Sequence, residues 1–188
     1  MVRSVREFPP GAVAPYPEAD ASDETLKDGT RVHLRPIRQD EGPHLLELYD
    51  RLSPESLYFR FFAVPDKDRS RAEYLARVDY VNRYALVAEV AGVLVGVARW
   101  ERDLSAPTRA EVAFTVADAQ QGKGLGSLLF RRLAALARAS GIETFDAEVL
   151  PSNEKMLRVF ERSGLGQTSR RESPALKVSL ALGPPPPA

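Results

Sequence analysis

Two features of the chain are suited to chemistry. One is Glu111, on a strand-like segment; the other is the loop that segment runs into, Gln121-Gly122-Lys123-Gly124-Leu125-Gly126. Three glycines at alternate positions let the backbone approach a ligand closely and take up conformations other residues resist. Upstream, Arg109 to Asp118 is rich in β-branched and aromatic residues, as a strand requires. Downstream, Leu125, Leu128, Leu129, Leu133 and Leu136 recur at helical spacing, with Arg131, Arg132 and Arg138 on other faces. The loop therefore ends at a helix N-terminus, where free N–H groups and a partial positive charge favour an anion. Phosphate binding is the chemistry this arrangement indicates, with Glu111 the candidate proton acceptor on the strand that leads into it.

Two common phosphate loops do not fit. A P-loop needs Lys-Ser/Thr after its second glycine, and Gly126-Ser127 offers no such lysine. A dinucleotide fingerprint needs G-x-G-x-x-G with an acidic residue about twenty positions on. Here the glycines run G-x-G-x-G, and Glu143 opens the next strand instead of ending it. Strand alternation puts Glu111 on one face with Ala113 and Thr115, small neighbours that leave room above a sheet. Glu148, on the following strand-like segment, is the alternative base.

The elements that must position these groups alternate along the chain. Residues 1–27 read as a flexible extension, broken by Pro9, Pro10, Pro15 and Pro17 and acidic from Glu18 to Glu24. Arg31 to Arg35 suits a first strand ending at Pro36. Helical patterns follow from Asp40 or Glu41 to Leu52, from the cap Ser53-Pro54-Glu55, and over Ser70 to Val78. Tyr84 to Val90 and Val93 to Glu101 read as a hairpin about Ala91-Gly92. A strand over Thr144 to Leu150, a helix capped at Pro151-Ser152-Asn153, and strands near 165–169 and 174–181 complete the domain, 28–182. The Pro-rich tail, 183–188, cannot join a helix or an interior strand.

Composition narrows the function classes. The formal net charge is zero, so bulk nucleic-acid or membrane binding has no electrostatic footprint. The absence of cysteine excludes a thiolate nucleophile and a Cys-based metal site, and two histidines, His33 and His44, are too few for a metal cluster. No metal is expected. Without a signal-like apolar stretch or a run long enough to span a bilayer, the default expectation is a soluble cytoplasmic protein.

The pattern Gln-x-x-Gly-x-Gly between strand and amphipathic helix resembles the pyrophosphate loop of the GNAT family of N-acetyltransferases. The element order over residues 29–182 is similar to that family's. The resemblance implies an α+β fold, a mixed and mostly antiparallel central sheet flanked by helices, with acetyl-CoA as co-substrate. It implies a pantetheine arm along Phe114, Thr115 and Val116, and pyrophosphate cradled by Gln121, Gly122, Lys123, Gly124, Leu125, Gly126 and Ser127. Glu111 matches the family's usual base. Asn153 matches an asparagine that contacts pantetheine, and serves equally as a plain helix cap. The family's downstream tyrosine is replaced by Phe160, which leaves the general acid unassigned.

The stretch Arg51-Leu52-Ser53-Pro54-Glu55-Ser56-Leu57-Tyr58-Phe59-Arg60-Phe61-Phe62 resembles the bacterial Pat-type protein lysine acetyltransferases. That implies a protein lysine acceptor, on a target of the acyl-CoA synthetase type. A small-molecule amine acceptor and a catalytically silent acyl-CoA sensor are the alternatives. Tyr58, Tyr80, Tyr84 and Trp100 are aromatic candidates for shaping an acceptor cleft, although the sequence does not place them there.

Overall fold

The structure is a computed structural model that describes residues 13–62 and 69–184. Among the described residues eight strands form one sheet in the order β1-β2-β3-β4-β5-β6-β8-β7. The strands are β1 (Ser22–Thr25), β2 (Arg31–Pro36), β3 (Arg83–Val90), β4 (Val93–Arg102), β5 (Arg109–Val116), β6 (Thr144–Val149), β7 (Gly166–Glu172) and β8 (Ala175–Ala181). Every neighbouring pair is antiparallel except β5 and β6, which run parallel. Among the described residues five α-helices flank the sheet: α1 (Gly42–Asp50), α2 (Pro54–Phe61), α3 (Arg69–Ala76), α4 (Leu125–Ala139) and α5 (Glu154–Arg162). This is the α+β arrangement the sequence predicts, a mixed and mostly antiparallel sheet flanked by helices.

Sequence accounts for the layering. The middle strands β3 and β4 are buried along nearly their whole length, as strands covered on both faces must be. Leu125, Leu128, Leu129, Phe130, Leu133, Ala134 and Ala137 form the apolar stripe with which α4 lies on β3, β4 and β5. Gly96 makes that approach possible, because an added Cβ would stand 2.9 Å from Leu129 Cδ1 and 3.3 Å from Thr115 O. The outermost strand β7 is exposed throughout and reads GQTSRRE, a polar edge that discourages pairing with another chain. Residues 91–92 turn the hairpin with φ of 50° and 77°, as the sequence predicts.

Part of the expected flexible extension is ordered. Ser22–Thr25 pairs antiparallel with β2, the Ala14 N–H donates to Asp79 O, and Tyr16 Oη donates to Pro36 O. Buried Asp20 accepts from Tyr84 Oη at 2.8 Å, and Tyr84 stacks on Trp100 with ring centroids 4.4 Å apart. Pro15 and Pro17 disfavour helix but are compatible with this extended course. Residues 1–12 and 185–188 of the two expected tails lie outside the described residues. No helix among the described residues is long and apolar enough to cross a membrane.

A charge network fastens β2 and β3 to the start of α1. Arg35 donates to both Glu41 oxygens at 2.8 and 2.6 Å and to Glu89 at 2.6 Å. Burial opposes the charge on Glu41, but Arg35 and the Arg38 N–H outweigh it and hold the carboxyl below its usual range. A lowered folded-state pKa gives stability that is present above the unfolded pKa and lost as pH falls through the folded one. Glu41→Gln is therefore expected to lower unfolding stability at neutral pH by about 2 kcal/mol, less than for a lone buried pair because Arg35 keeps Glu89. The deficit should shrink as pH falls below the ordinary glutamate range and vanish as it passes through the lowered folded-state pKa of Glu41. Denaturant titrations across pH check this; a pH-independent deficit would assign the loss to packing.

Candidate active site

The parallel pairing of β5 with β6 runs through Arg109↔Thr144, Ala110↔Phe145 and Glu111↔Asp146 and then stops. Beyond Glu111, β5 continues to Val116 on β4, while β6 continues to Val149 on β8. The wedge between them opens into a cleft of about 520 Å³. Its lining includes β5 from Glu111 to Val116, the loop at Gln121, Gly122 and Gly124, the start of α4 at Gly126 and Ser127, and Glu148 on β6. An aromatic floor supports it: Phe114 packs against Phe130 and Phe160, each with centroids 6.1 Å away.

Gly122 and Gly124 have φ of 77° and 93°, conformations side chains resist, and an added Cβ at either would meet no atom within 4 Å. These two glycines thus give the turn its shape and leave open space above it. Among the described residues no side chain caps α4, so its first-turn N–H groups are left for a ligand or solvent where Gly126 and Ser127 line the cleft. Gln121 braces the turn by donating to Val116 O at 3.0 Å and Ser56 Oγ at 3.2 Å while accepting from Lys155 at 2.8 Å.

Two predicted loop side chains are not brought to the cleft. Lys123 Nζ donates instead to Gln120 Oε1 at 3.1 Å, and Leu125 is buried in the core under α4. Their backbone remains part of the turn. Thr115 borders the cleft with a buried Oγ1 that has no hydrogen-bond partner among the described residues. Asn153 both borders it and caps α5, its side chain accepting from the Met156 N–H at 3.1 Å. Phe160 is core.

The Ser53-to-Phe62 segment forms the opposite wall. Asp118 accepts from the Ser53 N–H, the Ser53 hydroxyl and the Ser56 hydroxyl, each at 2.9 Å. Burial opposes its charge, yet these donors hold the carboxyl below its ordinary pKa. The serines thus latch α2 to the loop, and Phe59, Arg60, Phe61 and Phe62 line the cleft. The aromatic candidates named from sequence do not. Tyr58 is exposed and outside the lining, Tyr84 and Trp100 are in the core, and Tyr80 is buried with its hydroxyl on Ile37 O at 3.0 Å.

Sequence reasoning missed three cations. Lys155, Arg158 and Arg162 recur at i, i+3 and i+7 on α5 and all border the cleft. That periodicity was the available signal. Glu111 and Glu148 border it as well, so geometry leaves two carboxylates at the wedge. Among the described residues no group of His, Cys, Asp and Glu is arranged to hold a metal ion.

The acetyltransferase (GNAT) family matches residues 45–165, a span holding β3 to β6 and the glycine loop. The chain belongs to that family. Acetyltransferase Pat of Mycolicibacterium smegmatis is 33% identical over 87% of this chain but only 48% of its own length, so the chain spans about half of that relative. An acetyltransferase of Pseudomonas aeruginosa is 34% identical over 88% of this chain and 91% of its own. The crystal structure of the GNAT domain of S. lividans PAT matches with a TM-score of 0.82 at 35% identity, covering 88% of this chain and 99% of that one. The match makes this a Pat-like GNAT protein.

Asp118→Ala is expected to release α2 from the loop without unfolding the sheet. Amide hydrogen exchange should quicken in residues 53–61 while α4 stays protected. Unchanged exchange in α2 would show that apolar packing alone holds it.

Proposed function

We propose that the chain is an acetyl-CoA-dependent N-acetyltransferase whose acceptor is a protein lysine. The observation that carries this is the free edge of β5 leading, through an open glycine turn, into an uncapped helix N-terminus. An extended arm can pair along such an edge as an added strand would. The pyrophosphate then falls at the turn, over the backbone of Gln121 to Ser127, where N–H groups and the helix dipole favour it. Phe114, Thr115 and Val116 line the arm, and Asn153 stands across from them on the cap of α5. Lys155, Arg158 and Arg162 add positive charge along the same wall.

Acetyl-CoA supplies an activated thioester. Glu111, at the vertex of the wedge, accepts a proton from the acceptor ammonium, directly or through water. The freed nitrogen forms a bond to the carbonyl carbon, the carbon–sulfur bond breaks, coenzyme A leaves as thiolate, and the proton that the new amide nitrogen sheds passes through water to that thiolate. A thiol pKa near 8.5 allows departure with no dedicated acid, in keeping with a core Phe160 where the family has tyrosine. The protein-lysine acceptor is supported by the Pat-like sequence of α2 and by the PAT domain likeness.

Intact-mass analysis of an AMP-forming acyl-CoA synthetase, incubated with the protein and acetyl-CoA, tests the reading. An acetyl adduct is expected with wild type. Glu111→Gln should reduce kcat/KM by roughly 10²- to 10⁴-fold and leave acetyl-CoA affinity unchanged. If Glu148→Gln produces that loss instead, the base is Glu148. Bound acetyl-CoA with no adduct on any amine or lysine would replace the enzyme by an acyl-CoA sensor.

A further inference from the structure

A second cavity of about 480 Å³ adjoins the cleft, the two sharing Arg60, Phe61, Glu111 and Ala113. Its charges are segregated. Across β4 and β5, Glu101 stands directly opposite Glu111, and Arg99 stands opposite Ala113. Opposed residues and their neighbours two along share one face, so Arg99 lies diagonal to Glu111 at about 7–8 Å. Arg60 and Arg71 join from α2 and α3, with guanidinium carbons 4.8 and 5.1 Å from the centroid of the Phe61 ring. One end is acidic and the other is basic.

Arg99 is the anomalous member. It is only 7% exposed, its Nη1 donates to Leu75 O at 3.1 Å, and its buried Nη2 has no partner among the described residues. Burial, reinforced by repulsion from Arg60, pushes its pKa down to about 10. Glu101 is engaged with Arg83 at 3.7 Å, and among the described residues no carboxylate lies within ion-pair distance of Arg60, Arg71 or Arg99. A buried guanidinium with a free donor is unfavourable unless an anion meets it. Two carboxylates facing each other are likewise unfavourable unless a cation lies between them.

We propose that this cavity seats the acceptor and selects an amine that carries a carboxylate. The ammonium sits between Glu111 and Glu101, and the carboxylate sits against Arg99 with Arg60 and Arg71 around it. The proposal rests on the acyl-transfer reading of the neighbouring cleft and narrows its substrate class. The carboxylate belongs either to a free amino acid or to an acidic side chain beside an acceptor lysine.

Calorimetric titration of the coenzyme A-saturated protein tests it with a matched pair, 6-aminohexanoate and 6-amino-1-hexanol. A second pair of lysine hexapeptides differs by one neighbouring Asp or Asn. At least one pair should show a roughly tenfold preference for the carboxylate form. The aminohexanoate pair alone points to a free amino acid, and the peptide pair points to a protein acceptor. Arg99→Met and the exposed Arg71→Gln should each reduce the preference. Melting and coenzyme A affinity identify a misfolded Arg99→Met, in which case Arg71→Gln decides. Equal binding within both pairs, or a preference untouched by the variants, overturns the proposal even if acetyl transfer is observed. A preserved preference without transfer of acetyl to any amine overturns the enzymatic reading and leaves the anion subsite standing.

Discussion

The separation of β5 from β6 after the Glu111↔Asp146 pair is the constraint on which the rest of the molecule depends. Parallel strands cannot be joined by a hairpin; they need a crossover, and here α4 supplies it. The crossover has to start where β5 ends, so the N-terminus of α4 lies at the mouth of the wedge. A glycine-rich turn at that junction meets a strand edge on one side and unpaired helix N–H groups on the other. One parallel pair in an otherwise antiparallel sheet thus brings together the strand edge and the helix N-terminus on which the proposed acyl-donor site relies.

Polar contacts then fix the walls of the wedge. Asp118 binds three donors from Ser53 and Ser56, while Gln121 links β5, α2 and α5 through Val116, Ser56 and Lys155. Few of these side chains are apolar enough to be held by burial alone, so the hydrogen bonds set the register between helix and loop. The sheet's two faces differ in electrostatic character. The α4 and α5 face combines a phenylalanine floor with a basic helix edge, and the α2 and α3 face holds opposed glutamates beside arginines.

Much of this was legible because it is local. Ser53-Pro54 announced the start of α2, leucine spacing announced α4, and alternate glycines marked the turn whose φ values require them. What escaped depends on distant partners. Ser22–Thr25 is a strand because β2 offers it an edge, and Asp20 is buried because Tyr84 donates to it, neither of which four nearby prolines disclose. Tyr84 and Trp100 are candidates for an acceptor cleft that the sequence does not place, and the sheet stacks them together in the core. Lys123 sits in the glycine motif yet turns to Gln120, a choice set by side-chain reach. Arg99 carries no local signal for burial, which involves a distant partner, the Leu75 carbonyl of α3 that accepts from its Nη1.

The central claim, that the wedge between β5 and β6 holds the acyl donor, is tested most directly by amide hydrogen exchange with and without acetyl-CoA. The account requires new protection along residues 112–116 and 121–128, with β7, β8 and the β3–β4 hairpin unchanged. Protection confined to other elements, or none at saturating acetyl-CoA, would contradict it.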